Sequence, residues 1–330
     1  AMGIKMGTPF YQIRDMVRSG VLIACSSNYT LYGDLSSRVM SILADAVPKI
    51  EIYSVDEAFL CMSGMEMDRI AVICRDLVSR VKKWVGIPVS IGVAPTKTLA
   101  KVASHFAKRY PGYRGVCFVD TDEKRLKALS LTPISDVWGI GRKLSPRMER
   151  QGIRTALDFA ERPFDWVKRE YMLSGVRTWT ELNGRIGVGE ELPEKRKSIC
   201  TSRSFAEMTS DAAEIASRVS DFAAKCAQKL RQEHSAAGKV SVFLYTNRFR
   251  DDLPQYSPCA SVVLPVAANS AQEIVSAARR GLDTIFRPEY MYKKAGVIVD
   301  DLVDSDSVQI PIFDYDMDLR RRQDRISEVM

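Results

Sequence analysis

Apolar residues recur every three or four positions along much of the first 110 residues, and short apolar runs separate these stretches. The first pattern predicts amphipathic helices, and the second predicts strands. Their alternation predicts helices layered on a sheet, the arrangement of an α+β fold. The predicted helices are residues 9–19, 28–47, 67–85 and 97–110, and the predicted strands are residues 21–25, 51–60 and 87–93.

The pattern changes twice in the rest of the chain. Residues from about 120 to 185 are predicted to be helical and are rich in basic side chains. Residues 186–196 lack any apolar period, which predicts a tether. Residues 197–302 then follow the order strand, helix, strand, strand, helix, strand, which predicts a small sheet with two helices on one face. We therefore expect a multidomain α+β protein with an acidic tail at residues 303–330.

Composition narrows the classes of function. The 330 residues carry a net charge of +7 and a pI near 9.0, which favours a polyanionic partner without requiring one. Seven cysteines are scattered without a Cys-x-x-Cys pair, and only two histidines occur, so neither a zinc site nor a disulfide framework is predicted. No apolar run reaches the roughly 18 residues that a membrane helix needs. We expect a cytoplasmic protein with no membrane partner.

Two adjacent carboxylates, Asp56 and Glu57, interrupt the predicted strand 51–60. Its other residues are largely β-branched or aromatic, which is typical of a buried strand. Buried carboxylates cost several kcal/mol each unless a positive group accompanies them. A divalent cation is a common solution, so the pair is a candidate metal site. The alternative is a strand end at which both acids reach solvent.

A basic helix is predicted directly after the strand that ends near Val93. Lys97, Lys101 and Lys108 lie on this helix, and no acidic residue occurs between Thr96 and Val119. Open sheets bind ligands at strand ends, so the helix is a candidate phosphate-binding element. The alternative is a solvated face with no ligand.

A Gly-Ile-Gly turn near residue 140 predicts two short helices joined by a hairpin. Gly139 and Gly141 allow backbone N–H groups to approach a phosphate closely, and Arg142 and Lys143 add positive charge. A lone Gly-x-Gly is weak evidence, but the upstream proline and the closing Gly-Ile pair favour a helix-hairpin-helix. An ordinary helical turn is the alternative.

The strands after the tether carry small polar and basic residues suited to a phosphate backbone. Ser202, Arg203 and Ser204 are the candidates, and no signature of base stacking is present. The tail contains one compact patch, Gln309–Phe313, which is a candidate docking peptide.

Several short segments along residues 2–315 together resemble the Y-family of translesion DNA polymerases, in its UmuC/ImpB/MucB/SamB branch. Their match covers most of the chain and is specific. The segments are Gly3–Gly7, Ser26–Tyr29, Leu31–Tyr32, Ser37–Met40, Glu51–Phe59, Pro95–Lys101, Val137–Arg142, Ser202–Phe205 and Lys293–Val297.

The resemblance implies an order of domains. It makes residues 28–115 the palm, with a mixed or antiparallel sheet, and residues 116–185 the thumb, with the helix-hairpin-helix. Residues 197–302 become the βαββαβ little finger, reached through the tether 186–196. Residues 1–27 would be the end of the fingers, and residues 303–330 a tail with a clamp-binding peptide.

The resemblance also implies a function in DNA repair during the SOS response, namely translesion synthesis at the nucleoid. Asp56 and Glu57 would bind Mg²⁺, two ions in an intact homologue, and Lys108 would bind the triphosphate of an incoming deoxynucleotide. Primer-template DNA, a sliding clamp and a UmuD-like accessory subunit are the implied partners. Lys97, Lys101, Gly139, Gly141, Arg142, Lys143, Ser202, Arg203 and Ser204 would contact DNA, and Gln309, Ile310, Ile312 and Phe313 would contact the clamp.

The chain departs from the family pattern in one respect. The family's N-terminal strand with its first catalytic aspartate, the steric gate and most of the fingers precede the point at which this sequence begins. We therefore expect the polypeptide alone to bind primer-template DNA but to extend primers negligibly. A non-catalytic DNA- and clamp-binding remnant is the alternative, and a palm-like nucleotide cyclase is a third reading, disfavoured by the thumb hairpin and little finger.

Overall fold

Two units make up the chain, residues 1–192 and residues 193–330. The computed structural model describes residues 2–189 of the first unit and residues 195–309 of the second. Both units combine helices with strands, which confirms the predicted α+β class. Within these described residues, no helix is long and apolar enough to cross a membrane.

The first unit contains a strand-containing half and a helical half. In the strand-containing half, β1 and β2 form an antiparallel hairpin, whereas β3 and β4 form a separate parallel pair. The helical half agrees with the predicted helical character of residues from about 120 to 185. The elements are α1 (Phe10–Arg18), α2 (Tyr29–Ala44), β1 (Lys49–Ile52), β2 (Ala58–Cys61), α3 (Met67–Val85), β3 (Ile91–Val93), α4 (Lys97–Arg109), β4 (Val116–Phe118), α5 (Asp122–Leu131), α6 (Ser145–Arg150), α7 (Ala156–Ala160) and α8 (Phe164–Leu182).

Three strand predictions in this unit were wrong in extent or existence. Residues 21–25 form no strand, and Ile23 is 88% exposed, so this apolar run is not covered by a neighbouring element. The predicted strand 51–60 is two short strands with a turn between them, and the predicted strand 87–93 is reduced to β3. Apolar runs of this length do not distinguish a strand from exposed irregular chain.

Helix α4 belongs to both halves of the first unit. Val102 and Phe106 pack with Cys117 of β4 in the strand-containing half. Leu99, which is fully buried, joins the core of the helical half together with Leu129 and Phe159. Because one rigid helix contributes to both cores, the helical half is anchored to the same element that carries the predicted lysines.

The second unit confirms the βαββαβ prediction. Its four antiparallel strands lie in the order β5-β8-β6-β7, and α9 and α10 share one core with the sheet. Val240, Val242 and Leu244 point into that core, so alternate residues such as Phe243 and Tyr245 lie on the opposite face. The elements are β5 (Ser198–Thr209), α9 (Ala212–Gln232), β6 (Ser235–Thr246), β7 (Cys259–Ala268), α10 (Ala271–Ile285) and β8 (Tyr292–Asp304).

The seven thiols should separate into two groups in an alkylation experiment. Burial raises the pKa of the Cys74 thiol to about 11 and also raises the pKa values of Cys117 and Cys226. A raised pKa lowers the thiolate fraction at neutral pH, and the thiolate is the reactive form. We expect maleimide at pH 7 to modify four cysteines quickly and three only after denaturation. The fast group is Cys25, Cys61, Cys200 and Cys259.

Mass spectrometry of the partly labelled native protein would check this separation. Fast labelling of Cys74, which has no exposed surface, would show that α3 does not pack as described. The same experiment in denaturant supplies the control, because all seven thiols should then react at similar rates.

Candidate functional site

Asp56 and Glu57 lie in the turn between β1 and β2, where both are exposed. The backbone N–H groups of Tyr53 and Ser54 donate to the Glu57 carbonyl oxygen at 3.0 Å, which closes the turn. The Ser54 hydroxyl donates to the Asp56 carboxylate at 2.6 Å. The prediction of two acids inside a buried strand was therefore wrong, and its alternative, a strand end in solvent, is confirmed. We call residues 49–61 the acidic hairpin.

Two lysines of α4 face the acidic hairpin. The Lys97 Nζ donates to both carboxylate oxygens of Glu51 at 2.6 and 2.7 Å, and the Lys101 Nζ donates to both oxygens of Glu57 at 2.9 Å. Thr96 caps the helix and so fixes where Lys97 begins it, since its side chain accepts the Leu99 N–H at 3.3 Å. Residues four apart share a helix face, so the two lysines of α4 bind the carboxylates of Glu51 and Glu57 from one side of the helix.

The two ion pairs differ in burial. The Lys97 and Glu51 side chains are 15% and 19% exposed, whereas those of Lys101 and Glu57 are 24% and 47% exposed. Water screens the second pair more, so its carboxylate is the easier one to release. Glu57 is therefore accessible to an incoming cation, while Glu51 is committed to Lys97.

Lys108 lies on the same face of α4 as these two lysines. Its position is seven residues beyond Lys101 and eleven beyond Lys97, which is close to whole numbers of helical turns. The rise of the helix puts Lys108 about 10 Å farther along the axis than Lys101. Lys108 is exposed in the last turn. The predicted phosphate-binding lysine thus extends the row of charge that starts at the acidic hairpin.

An aromatic cluster connects the acidic hairpin to the Gly-Ile-Gly turn. The indole N–H of Trp138 donates to the Tyr53 hydroxyl at 3.1 Å, and the two rings meet edge to face at 5.5 Å. Phe59 lies 5.6 Å from Trp138, and the Lys101 ammonium lies 5.0 Å from the Tyr53 ring. A cation over an aromatic face is stabilised by the ring quadrupole, so Lys101 is held from two sides.

The Gly-Ile-Gly turn has the predicted form with a shorter first helix. A single 3₁₀ turn at Ile134–Asp136 precedes it, and α6 follows it. Gly139 adopts φ +90°, a conformation that favours glycine. No protein atom lies within 4 Å of the place where a Cβ of Gly141 would be, and Arg142 and Lys143 are exposed. The turn therefore presents backbone and positive charge to solvent.

The second unit separates the three predicted residues of β5. Ser202 pairs with Gly296 and Ser204 with Lys294 across the ladder with β8, and both lie on the face opposite the helices. Strand alternation puts Arg203 on the other face, the one whose core includes Ile199. Of the predicted clamp-binding residues, Gln309 is described, whereas Ile310, Ile312 and Phe313 lie outside the described residues.

The donor set fits part of a metal site. Asp56 and Glu57 offer exposed carboxylate oxygens, the ligands that hard cations such as Mg²⁺ prefer. Across residues 2–189 and 195–309, however, no group of three or more His, Cys, Asp or Glu side chains could hold a metal ion. Two carboxylates do not provide the oxygens for two octahedral ions, so the described residues do not fit a complete two-ion centre.

Comparison with known proteins identifies the family. Residues 1–105 match the model described as the impB/mucB/samB family, and residues 196–312 match the C-terminal domain of the same family. Protein UmuC of Salmonella typhimurium is 36% identical over 317 residues, which cover 95% of this chain and 75% of that protein. This chain belongs to the impB/mucB/samB family.

Other proteins are also similar to this chain. Protein ImpB of Salmonella typhimurium is 36% identical over 318 residues, covering 95% of this chain and 75% of that protein. DNA polymerase IV of Methanoculleus marisnigri is 30% identical over 242 residues, covering 73% of this chain and 65% of that protein. Among solved structures, the Y-family DNA polymerase chimera Dbh-Dpo4(243-245)-Dbh has a TM-score of 0.68 at 20% identity, covering 92% of this chain and 84% of that one.

Several residues whose contacts build the candidate site were not predicted from the sequence. Glu51, Tyr53, Phe59 and Trp138 stood inside the quoted segments without an assigned role, because their contacts join residues 46 to 85 positions apart. Periodicity reports only local neighbours. Glu181 differs, because it occupies an inward position of α8 together with Thr178 and Leu182. The sequence alone could have singled out Glu181, because it is an acidic residue at an inward-facing position of a predicted helix.

Proposed function

We propose that this member of the impB/mucB/samB family acts in DNA repair by translesion synthesis, the template-directed transfer of nucleotides past damaged DNA. The acidic hairpin carries the proposal, because its carboxylates Asp56 and Glu57 are exposed and Lys101 of α4 binds Glu57. Carboxylates beside lysines suit the joint binding of a cation and phosphate groups. A relative named DNA polymerase IV and a neighbouring structure titled an insertion ternary complex of Dbh DNA polymerase support this proposal.

Each group in the site has a proposed part. Asp56 and Glu57 would hold Mg²⁺, and its positive charge would offset the negative charge of bound phosphates. Lys108 would contact the triphosphate of a deoxynucleotide as a point charge. Before a cation binds, Lys101 neutralises Glu57 and thereby prevents repulsion between the two acids.

Primer-template DNA would be held by its phosphate backbone. Gly139, Gly141, Arg142 and Lys143 supply the contacts in the first unit, and in the second Ser202 and Ser204 lie on the sheet face that the helices leave uncovered. Arg203 is a weaker candidate on this geometry because it lies on the other face. A sliding clamp and a UmuD-like subunit remain proposed partners, with Gln309, Ile310, Ile312 and Phe313 as the clamp peptide.

A second candidate is a non-catalytic protein that binds damaged DNA and a sliding clamp. The observation that favours it is the donor set, because no metal-binding group of three occurs among the residues that the structure describes. Under this reading Asp56 and Glu57 would contribute nothing that DNA binding requires. Both candidates therefore predict DNA binding, and only the first requires Asp56 and Glu57.

Fluorescence anisotropy with a primer-template duplex and a primer-extension assay test the proposal together. We expect tight binding at low salt, with an affinity that falls by about 0.9 log units per contacted phosphate for each tenfold rise in salt. We expect extension by the 330-residue polypeptide to remain at background, because the described carboxylates do not complete a two-ion site. Extension at the rate of an active relative would contradict this expectation, and binding indifferent to salt would contradict DNA as the partner.

A chimera separates the two candidates. The N-terminal strand and fingers of a family member, fused before residue 2, should restore extension if the chain functions in synthesis. Restored extension should then disappear in the Asp56→Ala chimera, while its DNA affinity stays unchanged. A chimera that binds DNA and never extends a primer would favour the non-catalytic candidate.

A further inference from the structure

Glu181 is a carboxylate buried at the end of α8. It is only 1% exposed, and its inward-facing neighbours on the helix, such as Val167 and Leu182, are apolar. A carboxylate in this setting is retained only when its oxygens receive hydrogen bonds. Neither the acidic hairpin nor the Gly-Ile-Gly turn contains this residue, so its burial requires a separate explanation.

Three backbone N–H groups donate to the two oxygens of Glu181. The N–H of Thr98 donates to Oε2 at 2.9 Å, and the N–H groups of Gly187 and Val188 donate to Oε1 at 2.9 and 3.1 Å. The Thr96 hydroxyl also donates to the Glu181 carbonyl oxygen at 2.9 Å. One side chain therefore fixes both the first turn of α4 and the segment that follows α8.

These hydrogen bonds fix the chain on both sides of the place where the Lys97 ammonium is bound. Thr98 follows Lys97 in the chain, and Val188 precedes Gly189, whose carbonyl oxygen accepts from the Lys97 Nζ at 2.8 Å. With the two oxygens of Glu51, the ammonium has three acceptors for its three N–H groups. Glu181 thus holds the chain on both sides of the place where Lys97 is bound.

Close packing keeps the segment at Gly187 in place. A Cβ added to Gly187 would lie 2.7 Å from the Arg177 carbonyl oxygen and 3.2 Å from the Thr180 Cβ. The backbone there approaches α8 as closely as glycine permits. Both the hydrogen bonds and the packing therefore determine where the Gly189 carbonyl points.

We propose that Glu181 is a positioning residue for the acidic hairpin and acts through Lys97. The carboxylate orients α4 and Gly189, these orient the Lys97 ammonium, and the ammonium holds Glu51 on β1. The hairpin that carries Asp56 and Glu57 is thereby fixed to α4. This inference rests on the proposed function for its purpose, but the positioning itself is measurable without DNA or nucleotide.

The geometry requires a carboxylate at this position. Glutamine has the same shape but only one acceptor oxygen, so its amide group would direct N–H donors at a backbone N–H. Glu181→Gln should loosen either the Thr98 contact or the Gly187–Val188 contact. Either change frees Lys97, so the reactivity of its amine reports the proposed link.

Competitive acetylation with a limiting amount of acetic anhydride, read by mass spectrometry, tests the proposal. In the wild-type protein Lys97 should react at least about tenfold more slowly than exposed Lys108, because all three of its N–H groups are bound. In Glu181→Gln we expect its rate to rise about fivefold, the factor for one net hydrogen bond, with Lys108 unchanged. Glu161→Gln, an exposed acid of the same half, is the matched control and should change neither rate.

Gly187→Ala supplies a second route if Glu181→Gln does not fold. It leaves the carboxylate intact but displaces the Gly189 carbonyl, so Lys97 should again react faster. Equal reactivity of Lys97 and Lys108 in the wild type would overturn the proposal, as would an unchanged Lys97 rate in a folded Glu181→Gln protein. Faster acetylation without any DNA binding would leave the positioning role intact and contradict only the proposed function.

Discussion

Replacing Gly92 with alanine should unfold much of the first unit, with a loss of about 3 kcal/mol or more in the free energy of unfolding. Gly92 is the middle residue of β3 and packs directly against α4. An added Cβ would lie within 3.0 Å of backbone atoms of Ala100, Ala103 and Ser104. Helix backbone cannot move aside as a flexible side chain does, so β3 and α4 must separate.

Separation of β3 from α4 would disturb more than one local contact. Leu99 and Val102 on α4 belong to the cores of the two halves of the unit. Both cores would therefore lose packing contacts with α4. The lysines that bind the acidic hairpin would move with the helix. We therefore expect the Gly92→Ala protein to lose both thermal stability and affinity for primer-template DNA.

Tryptophan fluorescence measures this effect in the first unit alone, because all four tryptophans lie there. The midpoint of thermal unfolding should fall by about 10 °C, at roughly 2–4 °C per kcal/mol for a unit of this size. Gly33→Ala is the matched control, since nothing lies within 4 Å of its Cβ position in α2 and alanine favours a helix. An unchanged midpoint in Gly92→Ala would show that β3 and α4 do not pack as described.

The second unit could be predicted from sequence to a large extent. Val240, Val242 and Leu244 alternate toward the core in β6, and α9 has the long apolar period of a surface helix. Both signals are local and agree with each other, so the order of elements was correct.

The acidic hairpin shows why the candidate site could be predicted only in part. Residues 53–57 contain no glycine, proline or asparagine. Ser54 and Asp56 are residue types that favour turns, but tyrosine and valine beside them suggest a strand. The turn is formed instead by hydrogen bonds to the Glu57 carbonyl, which composition does not reveal. The sequence showed that Asp56 and Glu57 could bind a cation, whereas their exposure and the lysines that bind Glu51 and Glu57 depend on tertiary contacts.

Reversing the charge of Arg142 and Lys143 should have the largest effect on DNA binding. The double substitution R142E/K143E should weaken the affinity for primer-template DNA at low salt by about one to two orders of magnitude. Loss of two phosphate contacts should also reduce the slope of log affinity against log salt by about 1.8. The protein should remain folded, because both side chains are exposed.

The rigid support of the Gly-Ile-Gly turn makes this effect specific. Val137 and Ile140 are buried in the core of the helical half, and Trp138 is bound to Tyr53. A turn fixed at these points presents its charges without the entropy cost of ordering a loop. Charge elsewhere on the surface should therefore matter much less than charge at this turn.

The matched control is K82E/K83E, which changes the net charge equally at two exposed residues in the last turn of α3. Anisotropy titrations at several salt concentrations should show a small, salt-dependent loss for this control and a much larger one for R142E/K143E. Equal losses would mean that DNA responds to the overall charge of +7 and not to a defined contact. The difference between the two variants thus measures how far the Gly-Ile-Gly turn acts as a phosphate-binding site.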